Sequence, residues 1–462
     1  MSSILKKGKR EEIRLSDHFT ATRLIRFVMP SIVMMIFTSI YSVVDGLFVS
    51  NFVGKTAFAA LNLIYPPLAM LGGLGFMIGT GGSAIVAMTL GEGKRDKANE
   101  YFSFLLYVTI GVGLVLTVIG FVVLRPIAVL LGAEGEMLNN CLVYGWIILA
   151  FQTAFMLQFV FQSFFVTAEK PKLGLAVTVA AGLTNVALDY LLVGVFRFGL
   201  AGAAVATGMS QVVGGVLPLL YFAGRNNSLL RLTKTKWNKW VLIKTCTNGS
   251  SELMSNISAS VVNILYNYQL MVRAGENGVA AYGVMMYMSF VFSAIYLGYA
   301  VGCAPVISYH FGAGNRGELR NLFWKSIRLN GAAGIVMIVT AQLAANPLMR
   351  IFVGYDGELF AMTRDGFRLY AMAFLITGLN IFGSAFFTAL GNGGVSAVIS
   401  FLRTLVFQVL SVTALPVFLG VNGIWLAVVV AEVLSLMVTA GFLAGNGKRY
   451  GYVNLSTEKT GE

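Results

Sequence analysis

The chain of 462 residues is rich in apolar side chains and poor in charge: apolar residues make up 57% and charged residues 11%. A soluble domain carries about 25% charged residues, so this composition excludes an ordinary soluble enzyme and is typical of a membrane protein. The net charge of +13 does not indicate nucleic acid as a partner, because the basic residues lie in short loops between apolar stretches.

Twelve apolar stretches are long enough to cross about 30 Å of hydrocarbon as helices. In chain order the predicted spans are 27–50, 57–90, 101–124, 138–166, 173–196, 199–223, 241–272, 279–311, 321–346, 366–389, 394–418 and 422–444. The first polar segment is too long and too charged for a signal peptide, and the first apolar run exceeds the length of a signal-peptide core. We therefore expect an all-α integral membrane protein.

The distribution of Lys and Arg predicts the orientation of these spans. If the N-terminus is cytoplasmic, the cytoplasmic loops and tails hold 25 of the 33 basic residues and the external loops hold seven. Cytoplasmic loops of membrane proteins carry an excess of Lys and Arg. Both termini are therefore predicted to be cytoplasmic, in the plasma (inner) membrane of a bacterial-type cell.

The two halves of the chain resemble each other at an offset of about 221 residues. VGKTAFAA at 53–60 aligns with AGENGVAA at 274–281, and GLAG at 199–202 aligns with GVNG at 420–423. Six spans per half is an even number, so the repeat is parallel and its pseudo-two-fold axis lies along the membrane normal. The predicted domains are a tail at 1–23, an N-lobe at 24–223, a basic linker at 224–240, a C-lobe at 241–446 and a tail at 447–462. Two bundles around a cleft are common in alternating-access transporters.

Few ionisable residues lie inside the predicted spans, and each is a candidate functional group because a charge in hydrocarbon costs at least about 2.5–3.5 kcal/mol. Asp45, Asp189 and Thr207 fall at a similar depth, roughly 8–12 Å below the external surface at 1.5 Å per residue. Asn185 precedes Asp189 by four residues and shares its helix face. Such a group of oxygen atoms can hold a proton or a small hard cation such as Na⁺. The alternative is that either aspartate caps a helix or bonds one neighbour.

The second half contains Glu252, Arg403 and Glu432 within its spans. The depths of Arg403 and Glu432 permit an ion pair, which would be mainly structural. Glu252 would then be the free carboxylate, available to attract a cationic substrate or to carry a proton. 

Aromatic and methionine side chains crowd spans 7 and 8, with Tyr266 and Met286 among them. A cavity with such walls would suit flat lipophilic cations through cation–π contacts and adaptable thioether contacts. Alternatively these side chains face lipid or fill helix interfaces.

The chain lacks a GxxxxGK[ST] motif, which argues against direct coupling to ATP. Its three cysteines, Cys141, Cys246 and Cys303, are scattered and form no CxxC pair. We therefore expect no cofactor, no metal centre and no catalytic residue.

Three segments together resemble the multidrug and toxic compound extrusion family, and the likeness extends over nearly the whole chain. They are RFVMPS followed by YSVVDGLFV at 26–31 and 41–49, TNVALD at 184–189, and GLAGAAVAT at 199–207. With NGSSE at 248–252 opening span 7, the chain looks most like the MepA-like group of bacterial members. This resemblance implies export of cationic and amphiphilic compounds, driven by inward H⁺ or Na⁺.

The resemblance also implies a cation-coupling site in the N-lobe, at the positions matched by Asp45, Asn185, Asp189 and Thr207. Glu252 matches a carboxylate implicated in some branches. Gln162 stands where span 4 often carries Asn, and we group it with Glu252, Tyr266 and Met286 as candidates for the substrate site or a second coupling site. Tyr190 stands where many members have Pro. Span 10 lacks the Asp that another branch uses for coupling. The absence of this Asp favours the N-lobe site and leaves the identity of the ion open.

The sequence thus predicts a monomeric antiporter of drug-like cations in a lipid bilayer. An alternative of the same wider fold family is a flippase for a lipid-linked or amphiphilic substrate. A membrane enzyme or a channel is the alternative from another class. An enzyme would need a catalytic cluster, and the internal two-fold repeat makes a channel assembled from several subunits a poorer fit.

Overall fold

The structure, a computed structural model, describes residues 13–53 and 55–453, without the side chains at positions 42, 43, 45–51, 55 and 58. Helices dominate this part of the chain, and it contains no β-strand. The α-helices are α1 (Ala21–Phe52), α2 (Lys55–Gly91), α3 (Arg95–Leu130), α4 (Gly135–Ala150), α5 (Gln152–Thr167), α6 (Pro171–Leu188), α7 (Gly199–Ala223), α8 (Lys239–Gly312), α9 (Arg316–Val353), α10 (Gly357–Tyr370), α11 (Phe374–Ala389), α12 (Gly393–Phe401), α13 (Phe407–Leu419) and α14 (Val421–Tyr450).

Short segments of other helical types join some of these helices. The π-helical segment Asp189–Val195 continues α6, and a second π-helical segment, Leu402–Val406, joins α12 to α13. The 3₁₀ segment Ala371–Ala373 joins α10 to α11. These segments keep the backbone hydrogen-bonded. Therefore α6 with its π-helical segment, α10 with α11, and α12 with α13 can each cross the hydrocarbon as one span.

Twelve membrane crossings result from these helices. Ten helical stretches of the described chain are long and apolar enough to span a bilayer, and the pair α4 and α5, bent by 55°, makes an eleventh. The 74-residue helix α8 is divided at Gly275, where φ is 62° and ψ is −152°. Each part of α8 is long enough to cross, so the prediction of an all-α protein with twelve spans is confirmed.

The two halves meet through glycines near one end of the bundle. Leu15 and Tyr452, close to the two ends of the described chain, belong to one buried cluster, and we call this end of the bundle the terminus face. Toward that face, Gly249 of α8 lies against the Met77 carbonyl of α2, so that a Cβ there would overlap the carbonyl oxygen. Gly312 contacts Met88 on the same pair of helices, and Gly91 contacts Tyr309, in the same way. Small residues let helices approach this closely in a membrane.

The segment before α1 also joins the two halves at the terminus face. The Leu15 amide donates to Glu169 Oε1 at 2.6 Å in the first half. The Phe19 amide donates to Glu318 Oε1 at 2.9 Å, and Lys325 Nζ donates to the Phe19 carbonyl at 2.6 Å, both in the second half. Burial raises the pKa of the Glu169 carboxyl, although the bond from Leu15 opposes this rise. The described contacts therefore hold the two halves closed against each other on the terminus face.

Replacing Gly275 with alanine should lower stability through backbone strain. Its φ and ψ fall in a region that is almost restricted to glycine, where another residue costs of order 1–3 kcal/mol. No atom lies within 4 Å of a Cβ built there, so a steric clash cannot contribute. Thermal unfolding of purified Gly275→Ala should show a lower midpoint, whereas Gly283→Ala, also unobstructed and in a regular part of α8, should be neutral or stabilising. Equal midpoints would contradict the break at Gly275.

Replacing Gly249 with alanine should loosen the terminus face, because the new methyl group must displace the backbone of α2. Cys246 lies three residues before Gly249 and is half-buried, whereas Cys141 and Cys303 are buried, so its reaction with a maleimide reports this opening. We expect severalfold faster labelling in Gly249→Ala than in the parent protein. Gly331→Ala is the matched control, since nothing lies within 4 Å of its Cβ position. Unchanged labelling would contradict tight packing between the halves.

Candidate ion and substrate sites

The first candidate site lies in the first half, where α6 continues into its π-helical segment. Asn185 and Asp189 are buried there, with exposed fractions of 1% and 0%. Gly182 places α6 against Phe37 of α1, and Gly202 places α7 against the Leu192 carbonyl. The three helices that carry the predicted N-lobe residues are therefore packed together.

Two oxygen atoms of this region have no hydrogen-bond partner among the described residues: Asn185 Oδ1 and Thr207 Oγ1. Leaving a buried polar atom without a partner costs about 1–3 kcal/mol. Two such oxygens on neighbouring helices fit a group that binds a transient ligand such as a proton or a hard cation, which prefers oxygen donors. Asp45 belongs to α1, but its side chain lies outside the described residues.

The second candidate site is a cavity of about 200 Å³ between the two halves. Phe76, Thr80 and Ser83 of α2 and Ser163 of α5 line it from the first half. From the second half it is lined by Glu252, Ser255, Leu297, Ala300, Val301, Ala304, Ile381, Ser384, Ala385, Thr388, Ser400, Arg403 and Thr404. Glu252 and Arg403 are the two ionisable residues of this described lining. Because residues of both halves form the wall, relative movement of the halves would change the cavity.

Arg403 and Glu432 form a close ion pair beside this cavity. Arg403 Nη2 donates to Glu432 Oε1 at 2.8 Å, and Nε donates to the two carboxylate oxygens at 2.9 and 3.1 Å. Asn380 Nδ2 donates to Glu432 Oε2 at 2.6 Å from the other side. Both oxygens of Glu432 are thus occupied. The structure shows no ion pair for Glu252 with any described residue.

Sequence reasoning missed a cluster of hydroxyl groups on the wall of this cavity. Ser384 Oγ lies 2.9 Å from Ser396 Oγ and 2.8 Å from Ser400 Oγ, and Thr388 Oγ1 lies 2.8 Å from Ser396 Oγ. The spacing of four residues within each of α11 and α12 was an available signal, because it puts such residues on one helix face. The cluster adds neutral hydrogen-bonding groups beside Glu252.

Three other predicted substrate residues lie elsewhere. Tyr266 is 1% exposed, stacks on Tyr282 with ring centroids 5.1 Å apart, and donates to Gln408 Oε1 at 2.9 Å. Met286 packs against the same buried cluster of the second half. Gln162 is 3% exposed, and its amide atoms have no hydrogen-bond partner in the described part of the chain. None of the three lines the cavity that contains Glu252, so the structure does not bring them together with that carboxylate.

The chain is similar to bacterial proteins named multidrug export protein MepA. The relative from Staphylococcus saprophyticus is 23% identical over 87% of this chain and 87% of its own length. The relative from Staphylococcus aureus strain MSSA476 is 22% identical over 90% of this chain and 91% of its own length.

Solved structures with the same fold support this similarity. A crystal structure of MATE in complex with MaL6 has a TM-score of 0.90 at 20% identity, over 95% of this chain and 98% of the other. An outward-facing conformation of a multidrug resistance MATE family transporter of the MOP superfamily gives the same TM-score, identity and shares. At this level of identity the comparison establishes the fold.

A family model, MatE, matches residues 30–191 and 252–413. These two matches cover more than half of the chain and lie at an offset of 222 residues, which agrees with the internal repeat. The multi-pass chain therefore belongs to the MatE family, whose members are transporters and not enzymes.

Proposed function

We propose that this protein is a secondary active multidrug exporter, which moves cationic or amphiphilic organic compounds out of the cell in exchange for inward H⁺ or Na⁺. The observation that carries the proposal is the cavity between the halves, in which Glu252 has no ion pair with a described residue. A carboxylate in a partly apolar cavity attracts organic cations by charge, and the surrounding apolar wall favours their lipophilic parts. The names of the Staphylococcus relatives, multidrug export proteins, support the export of drugs.

The coupling ion is proposed to bind in the first half, at Asp45, Asn185, Asp189 and Thr207. The buried oxygens of Asn185 and Thr207, which have no hydrogen-bond partner among the described residues, support this assignment. The ion can drive export only if its affinity differs between the two orientations of the cleft. Movement of α1 and α6 relative to each other is the expected source of that difference, since both carry ligands of the site.

We propose that both termini lie in the cytoplasm of a bacterial-type cell. The excess of Lys and Arg in the tails and in the loops on the same side of the membrane favours this orientation. With that orientation the closed terminus face is the cytoplasmic one, and the structure corresponds to a cleft that is closed to the cytoplasm. The substrate would enter after the contacts of Gly249, Gly312 and the segment before α1 separate. A single chain holds both halves and both candidate sites, which supports a monomer as the working unit.

A flippase for a lipid-linked substrate is the second candidate. Such a substrate carries phosphate groups and would favour a cationic cavity. Here the charge of Arg403 is taken up by Glu432, while Glu252 remains available in the cavity. The charges of the cavity therefore favour the export of cations.

Substitution of Asp189 by asparagine should abolish coupled transport while the protein remains folded. Purified protein would be reconstituted in proteoliposomes of known orientation, and transport of ethidium would be followed under a pH gradient or a Na⁺ gradient applied separately. We expect one gradient to drive transport in the parent protein, and at least a tenfold lower gradient-driven rate in Asp189→Asn. Asp365→Asn is the matched control, because Asp365 pairs with Arg364 and its side chain is 59% exposed.

Full gradient-driven transport by Asp189→Asn would remove Asp189 from the ion site. Absence of transport by folded parent protein under either gradient would contradict the exporter. It would favour the flippase, to be tested with a fluorescent lipid in the same vesicles.

A further inference from the structure

The ion pair of Arg403 and Glu432 sits where its charges act on the contents of the cavity. Arg403 belongs to the lining and its side chain is 18% exposed, whereas Glu432 is behind it and 6% exposed. An arginine keeps its positive charge at all relevant pH values, so it cannot become neutral by releasing a proton. Unless another charge cancels it, Arg403 would oppose every cation that approaches Glu252.

Glu432 is held in the position that cancels this charge. Three N–H···O contacts of 2.8–3.1 Å join it to Arg403, and such paired contacts between arginine and carboxylate have a fixed geometry. Asn380 holds Glu432 from α11 through the carboxylate and through the backbone carbonyl, at 2.6 and 2.9 Å. The pair is therefore pre-arranged before any ligand binds.

The backbone around Arg403 is also unusual. Arg403 lies in the π-helical segment Leu402–Val406, and π-helical turns within α-helices are frequent at functional sites. A purely structural ion pair within a bundle needs neither this local change of helix type nor a position on a cavity wall.

We propose that Glu432, acting through Arg403, is a specificity-determining residue of the exporter: it cancels the permanent positive charge of Arg403 so that the cavity presents the single negative charge of Glu252. With Glu252 ionised, the three charges of Glu252, Arg403 and Glu432 sum to one negative charge. The cavity then favours organic monocations over neutral or anionic compounds of the same shape. This inference rests on the proposed function, since it assigns the charge preference of the same cavity.

The test compares binding of related ligands of different charge to purified full-length protein. Ethidium is a monocation and propidium is a dication with the same aromatic core, while 8-anilinonaphthalene-1-sulfonate supplies an aromatic anion. In Glu432→Gln the cavity becomes neutral when Glu252 is ionised. We expect ethidium affinity to fall on the order of tenfold, propidium affinity to fall further because its charge is doubled, and the sulfonate to bind more tightly.

The double variant Arg403→Gln with Glu432→Gln separates charge from structure. It removes the whole pair and restores the single negative charge, so it should regain the parent preference among the three ligands. Loss of a structural contact alone predicts the opposite, namely that the double variant is no better than Glu432→Gln. Arg364→Gln, at the surface pair with Asp365, is the control for a change of charge away from the cavity.

If Glu432→Gln proves unfolded, Glu432→Asp and the double variant still carry the test. Glu432→Asp keeps the charge and shortens the side chain, so it should keep the order of preference even if all affinities fall. Parallel loss of affinity for all three ligands in Glu432→Gln, or a double variant without recovery, would overturn the inference. Absence of saturable ethidium binding by the parent protein would instead count against the proposed function itself.

Discussion

The hydrocarbon of the bilayer offers no hydrogen-bond partners, and the rest of this structure depends on that constraint. Every span has to satisfy its backbone internally, so the described chain crosses only as helices. Where the described spans depart from the α-helix, they keep most of their backbone hydrogen bonds, as in the π-helical segments that begin at Asp189 and Leu402. The same constraint applies to side chains, and it explains why Glu432 is found with three donors around it and not alone.

Close packing at the terminus face follows from the same environment. Lipid tails are as apolar as the helix surfaces, so there is no hydrophobic driving force for helix association. The helices are held together by close van der Waals contact and hydrogen bonds. Gly249 and Gly312 provide the first kind of contact between the halves. The segment before α1 provides the second, with Glu169 in one half and Glu318 in the other. Both kinds are made of many small contributions, which suits an interface that has to open and close in the proposed transport cycle.

The positions of the spans could be predicted closely from the sequence, because the thickness of the hydrocarbon sets the length of the apolar stretch that a spanning helix needs. The prediction of 199–223 agrees with Gly199–Ala223, and the gap between 272 and 279 contains the break at Gly275. Helix ends were less accurate: α3 begins at Arg95 and not at 101, since polar residues can continue a helix beyond the lipid. The predicted boundaries of the lobes and linker remain predictions.

The candidate sites were predicted less completely. Depth along the spans allowed Arg403 and Glu432 to meet, and the two are in contact. The same depth argument could not identify Asn380 as the residue that also bonds Glu432, because the position of an amide within an apolar stretch does not indicate its hydrogen-bond partner. Tyr266 and Met286 were chosen from composition, yet both pack in the core of the second half. These spans are apolar on all sides, so periodicity cannot distinguish a face toward a cavity from a face toward another helix.

The duplicated halves have diverged in a way that bears on coupling. The family matches relate the span made of α6 and its π-helical segment to the span made of α12 and α13, through residues 171–191 and 393–413 at an offset of 222 residues. Both of these equivalent stretches contain a π-helical segment with an ionisable residue, but Asp189 is at the far end of its helix and Arg403 is nearer the terminus face. The candidate ion site and the cavity therefore lie at different depths and in different parts of the protein. In the proposed exporter, an ion and a substrate bound there would not compete for the same atoms, so exchange between them would have to be transmitted by movement of the halves. That movement would require each ligand to bind one orientation of the cleft more tightly than the other, and the glycine contacts between α2 and α8 are among the contacts that would separate.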